Sequence, residues 1–350
     1  MDRDRIFLEE LVRCASPSGA EQEIGALLVS RLPALGWERV ELDDVGNVVA
    51  SRGKGPREVL LLGHVDTVPG GPPVRWEGEV LWGRGAVDAK GAFGAFALAG
   101  GACAVPEGGR ITLVGAVGEE RDSRGARYRL MRHAPEACLV GEPSGSDGVT
   151  LGYRGRIFCT LEARDGGAHR SGDAGPHTAC LRGAAAVLDS WERGDDPTRP
   201  VIERPSGAVA FMEGREEGER RGRVELDLRL PLGAEPERVV QEVREVAERW
   251  GVTVYFSEKV RAHLVPRDDL AVRALRGAIR QVFGRAPRLL AKGGTADFNL
   301  AASWGCPLAA YGPGDSRLDH TAEERLPLEE FRAAVAVLQE ALPRLWREEA

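Results

Sequence analysis

A run of valine and leucine at residues 59–62 stops at Gly63 and is followed at once by His64 and Asp66. Two further runs end the same way: residues 110–117 (RITLVGAV) break into Gly118-Glu119-Glu120, and residues 137–140 (ACLV) into Gly141-Glu142. Short, nearly continuous apolar runs bounded by glycine read as strands buried on both faces. Stretches of helical spacing lie between them, above all the small-residue segment 89–104. Strands alternating with helices predict an α/β fold with a largely parallel sheet flanked by helices, and such sheets gather ligands just past the C-terminal ends of their strands. The polar residues after these runs therefore sit where a site is expected. Alternate side chains of a strand share a face, so Asp66 is expected beside His64, its carboxylate orienting the imidazole. Glu119 and Glu120 point opposite ways, which lets one bind a metal while the other faces a substrate. Two acids so close call for a positive charge between them. Taken singly, each motif also fits a structural histidine or a solvated acid pair.

The rest of the chain bounds the possibilities. With 350 residues there is room for two domains and a cleft. A net charge of −7 argues against a general nucleic-acid surface, which needs an excess of basic groups. The N-terminus is charged and amphipathic and no run approaches about 18 apolar residues, so neither a signal peptide nor a membrane span is expected and a cytoplasmic location is. Six cysteines, without CxxC spacing and mostly inside apolar segments, read as reduced thiols. Between residues 151 and 262 the pattern becomes a self-contained βαββαβ unit, predicting a ferredoxin-like insertion within a catalytic domain formed by 1–150 and 263–350.

Two more residues complete the candidate site. Asp88 lies in the glycine-rich turn GRGAVDAKG before the helix at 89–104, and His320 follows Gly312-Pro313-Gly314 in a loop too polar for core. Two histidines with several carboxylates and no clustered cysteine suit two divalent ions such as Zn²⁺, Co²⁺ or Mn²⁺. GHVDTVP, GRGAVDAKG, GEE, GEP, GGAHRSG and a late GPG…DHT together resemble, in order and over nearly the whole chain, the co-catalytic metallopeptidase family of glutamate carboxypeptidase, succinyl-diaminopimelate desuccinylase and acetylornithine deacetylase. The resemblance implies a zinc-peptidase-like catalytic domain holding two cations, Zn²⁺ or Co²⁺. Asp88 would bridge them, with His64 and Glu142 on one and Glu120 and His320 on the other. Glu119 would act as general base toward a water held between the cations. Asp66 would orient His64. His169 would stabilise the oxyanion from a partner subunit, across a homodimer formed by a lid at 151–262. Arg229 would hold a substrate carboxylate, or form a salt bridge, and the backbone of Gly293-Gly294-Thr295 would donate to an anion. The lid lacks the Asn-x-Ile-Pro segment common in the family, so no partner asparagine contact is expected.

Within the family, YGPGDSRLDHTAEE and KGGTADFN resemble the branch that releases lysine or ornithine from the γ-carboxyl of the C-terminal Glu of an amino-group carrier protein, in lysine or arginine biosynthesis. That resemblance implies the carrier as substrate, with Arg215, Arg220, Arg221 and Arg223 of the lid as candidates to meet an acidic partner. Alternatives are a deacetylase of N-acetylornithine or N-acetyl-lysine, a succinyl-diaminopimelate desuccinylase, or a non-catalytic binding protein on the same fold.

Overall fold

A computed structural model of the chain describes residues 2–167 and 174–346, and within strand Ser206–Glu217 nothing is said of the Glu217 side chain. The chain forms two compact units: Met1–Leu151 with Val265–Leu290 and Ala296–Ala350, and Gly152–Leu264 with Ala291–Thr295. Gly293, Gly294 and Thr295 thus belong to the second unit.

The first unit is built on the mixed, largely parallel sheet that the alternation predicts. Arg39–Leu42 pairs antiparallel with Val48–Gly53, which pairs antiparallel with Gly109–Ala116. The next three pairings are parallel: Gly109–Ala116 with Arg57–His64, that strand with Ala137–Gly141, and Ala137–Gly141 with Leu308–Ala310. Four adjacent strands therefore run in one direction. Their register aligns His64 with Ala116 and Gly63 with both Gly115 and Gly141, so their C-termini reach one edge together. The middle of each strand is apolar because both faces are covered; Leu60, Leu61, Leu62, Leu113 and Leu139 are fully buried. Removing side chains of this size from water stabilises the fold by roughly 1.5–3 kcal/mol each.

Helix Lys90–Ala102 is buried from Lys90 to Gly101 and packs against the sheet, the first helix Arg3–Arg13 and the late helix Leu328–Ala341. Its glycines allow that approach: a Cβ on Gly100 would come within 2.8 Å of the Trp37 ring. A small antiparallel sheet of Arg75–Glu77, Val80–Trp82 and Arg325–Pro327 ties the chain after the sheet's first turn to the segment after His320.

The second unit is an antiparallel sheet in the order Ser206–Glu217, Glu219–Leu230, Gly155–Asp165, Thr253–Val260, with helices Gly175–Trp191 and Pro236–Glu248. Burial alternates along Glu219–Leu230, the signature of a sheet with one covered face. Ile157, Leu161, Leu226, Leu228, Val240 and Val243 are among its core residues.

Candidate metal centre

The four parallel strand ends bring the candidate residues together within the first unit. His64 is the last residue of its strand, Glu119 and Glu120 follow Gly109–Ala116 by three and four positions, and Glu142 follows Ala137–Gly141 directly. The chain leaving Leu308–Ala310 loops to His320. Glycine makes the crowding workable: a Cβ on Gly312 would meet Ala92 Cβ at 2.4 Å and the Glu142 carbonyl at 2.8 Å. The Gly118 carbonyl, in a left-handed turn (φ 75°), accepts from the N–H groups of Arg121, Asp122 and Ser123 and so closes the loop that presents Glu119 and Glu120.

Two groups of donors result. One ligand atom each from His64, Asp88 and Glu142 lies within 4.8 Å of the others, and the same holds for Asp88, Glu120 and His320. Asp88 is common to both. Its Oδ1 is 3.2 Å from His64 Nε2 and its Oδ2 is 3.0 Å from His320 Nε2, while His320 Nε2 is 2.9 Å from Glu120 Oε1. Imidazole and carboxylate donors without thiolate fit borderline-hard divalent ions, and the residues present can hold two of them.

The sequence reading expected the Asp66 carboxylate to orient His64. The Asp66 carboxylate lies beside His64, and the Asp66 backbone adds a contact of its own: His64 Nδ1 is 2.9 Å from that carbonyl, which can only accept, so Nδ1 carries the proton and Nε2 faces Asp88. The carboxylate Oδ1 is 3.6 Å from Nδ1, beyond ordinary hydrogen-bond length. It binds elsewhere: Oδ1 accepts from the Glu119 N–H, and Oδ2 from the Glu120 N–H and the Ser18 hydroxyl. Asp66 therefore fixes the backbone of the two adjacent acids.

The electrostatics follow from burial. Burial works against the charged form of His64, but Asp66 and Asp88 outweigh it and hold the imidazole well above its ordinary pKa. Hydrogen bonds to the carboxylates of Asp88 and Glu120 bring His320 up to about 10. For Asp88 burial is opposed by His320 and His64, which keep the carboxyl well below the usual range. Glu142 is pushed up to about 8, chiefly by burial, and burial also raises Glu119 well above its ordinary value. The pocket thus carries more acid than its histidines neutralise, a field that attracts cations.

One organising residue gave no signal as a site in the sequence. Glu324, wholly buried, accepts through Oε1 from the N–H groups of Gly85, Val87 and Asp88 at 2.9, 3.0 and 3.1 Å, and through Oε2 from Arg84 at 2.6 Å. It binds the Asp88 turn to the loop that carries His320. In the sequence it is the second acid of Ala322-Glu323-Glu324, indistinguishable from a solvated pair.

His169 lies outside the described residues. In the second unit Arg229 donates to Thr295 Oγ1 at 3.1 Å and to Asp227 at 3.0 Å, and the Gly293 carbonyl accepts from Arg154 at 2.7 Å. Arg215, Arg220, Arg221 and Arg223 pair with Glu213, Asp165, Glu162 and Glu225, respectively. All six cysteines are free, and among the described residues no helix is long and apolar enough to cross a membrane.

Known proteins similar to this chain point to one family. Residues 60–344 match Peptidase family M20/M25/M40. The chain is 39% identical to the [LysW]-lysine hydrolase of Deinococcus radiodurans, covering 97% of this chain and 96% of that protein. It is 38% identical to a putative [LysW]-lysine/[LysW]-ornithine hydrolase of Pyrococcus abyssi, over 97% and 93%. In fold it is similar to the M20 family metallo-carboxypeptidase Sso-CP2 of Sulfolobus solfataricus, with a TM-score of 0.83 at 17% identity over 99% of both chains. Membership of that family implies divalent metal ions, for which the two donor groups are the candidates. The chain belongs to Peptidase family M20/M25/M40 and is a hydrolase acting on an amide bond.

Proposed function

We propose that the chain releases lysine, ornithine or both from an amino-group carrier protein by hydrolysing the amide at the γ-carboxyl of the carrier's C-terminal Glu, with Glu119 as general base. The observation that carries the chemistry is the division of Asp88: one carboxylate offers its two oxygens to two different histidines, at 3.2 and 3.0 Å. Glu142 joins the first pair and Glu120 the second. That layout supports two divalent cations, one that would be held by His64, Asp88 and Glu142 and one by Asp88, Glu120 and His320. Zn²⁺ or Co²⁺ bound there would polarise the scissile carbonyl and lower the pKa of water.

The chain's own residues supply the proton transfers. Glu119 belongs to neither donor group and its affinity for a proton is raised by burial. Such a carboxylate takes a proton from water and passes it to the leaving nitrogen. Asp66, gripping the Glu119 and Glu120 N–H groups, holds that base in place. The carrier-linked substrate is supported by the names of relatives matched over almost their whole length. Pairing of two copies through the second unit, with His169 reaching the partner's site, comes from the family resemblance and completes the reading.

Glu119→Gln is expected to lower kcat by roughly 10²–10⁴-fold while metal content and folding stay intact; unchanged turnover would remove Glu119 from the mechanism. Lysine release from carrier-linked lysine, assayed beside N-acetylornithine and succinyl-diaminopimelate, tests the substrate. Faster turnover of either small amide would transfer the reading to that activity.

A further inference from the structure

Asp297 is a buried acid for which the proposed reaction has no use. It opens the short helix Asp297–Ala301, is 2% exposed, and neither carboxylate oxygen has a hydrogen-bond partner. The Ser123 hydroxyl leans toward it and favours its charged form, yet without ordinary hydrogen-bond geometry. A buried, unanswered carboxylate is among the more costly groups a fold can carry.

Its position is telling. The helix it opens packs on strands Ala137–Gly141 and Leu308–Ala310, which lead to Glu142 and His320, and on helix Arg124–Leu130, which follows Glu119 and Glu120. Ser123, at the head of that helix, is one of only two described non-glycine residues with positive φ, at 51°; the other is His320, at 61°. Ser123 does not cap its own helix. The charge of Asp297 is felt in the centre: it raises the proton affinity of Glu119 and Glu142, while His64 stabilises its own anion. Burial, the larger influence, pushes it up to about 7.

We propose that Asp297 is a counter-charge for the cations of this site: an anion left unpaired by the chain, destabilising while the site is empty, and answered when the two donor groups are filled. It belongs to neither donor group and acts through its charge on how tightly the cations are held. The inference rests on the two-cation reading above. It explains why a carboxylate, and not an amide or an apolar group, stands at a position where Ser123, His64 and Arg127 favour its anion yet neither oxygen is hydrogen-bonded.

A residue kept only for the fold and one kept for the cations respond differently to Asp297→Asn, which preserves shape and removes charge. We expect the cation-free variant to melt a few degrees higher than the unaltered chain at about pH 8, and Co²⁺ affinity, read from the cobalt absorption bands in competition with a chelator, to fall roughly 10–100-fold, the range for groups behind metal ligands. Unchanged or tighter Co²⁺ binding would overturn the proposal. So would a cation-free variant that melts lower or no longer folds, since the carboxylate would then be a structural necessity. If the unaltered chain itself binds fewer than two Co²⁺, the two-cation reading fails and this inference with it; two Co²⁺ held equally by both proteins removes the inference alone.

Discussion

The chemistry of the site depends on carboxylates doing different things at close range. Asp88 lies between two histidines, Asp66 grips the backbone of Glu119 and Glu120, and Glu324 collects three N–H groups and a guanidinium from the Asp88 turn. The last is the most sensitive to a single mutation, because three backbone N–H groups and a guanidinium converge on one buried carboxylate. Removing one member of a buried charged pair costs about 3–5 kcal/mol, since the other is left unanswered. Glu324→Ala is therefore expected to lose stability on that scale in urea unfolding. Glu324→Gln, which retains one acceptor oxygen but no charge for Arg84, is expected to fold and to bind divalent cations roughly 10–100-fold more weakly. Chelator competition measures it, and undiminished affinity in the Gln variant would mean that Glu324 braces the turn without positioning Asp88.

At the scale of elements, the site is the shared edge of four parallel strands. That edge was legible in the sequence because a strand buried on both faces has no choice but to be apolar and to end where polarity returns: Gly63-His64, Gly118-Glu119-Glu120 and Gly141-Glu142 each mark such an end. The three-stranded sheet of Arg75–Glu77, Val80–Trp82 and Arg325–Pro327 was not legible. Its strands are three residues long and mix Arg, Trp, Glu and Pro, too short for periodicity to speak, and one of its two pairings joins Val80–Trp82 to Arg325–Pro327. Nor could spacing show that the Asp66 carboxylate, beside His64, would also accept from the backbone of Glu119 and Glu120, since that depends on a loop from another strand. The same edge predicts where substitution is not tolerated. Gly312→Ala places a methyl group 2.4 Å from Ala92 Cβ, on a helix with no room to retreat. A loss of about 1–3 kcal/mol in unfolding free energy is expected. An unaltered urea midpoint would mean that the loop carrying His320 shifts freely away from helix Lys90–Ala102.

For the molecule as a whole, the pocket makes stability depend on pH in a direction that bound cations should oppose. In the cation-free chain Glu142 binds its proton up to about pH 8, against an ordinary value of 4.5. Between those limits the folded state holds more protons than the unfolded, so stability falls as pH rises. His320, ordinarily near 6.5, holds its proton to about 10. Its contribution is complete below 6.5 and is lost as pH climbs through 10, which again means a fall. Asp88 works the other way, since its lowered pKa stabilises above 3.8 and that contribution is lost only in acid. The cation-free protein is accordingly expected to be most stable in mild acid and to lose stability steadily from about pH 6 to 9. Cations prefer ionised carboxylates and neutral imidazoles, so their binding tightens over the same range. Melting temperatures of chelator-treated and Co²⁺-loaded protein, compared at each pH, should therefore diverge as the solution becomes more alkaline. Two curves that stay parallel would mean that these carboxylates and imidazoles do not exchange protons for cations, and the two donor groups would then have to be given another purpose.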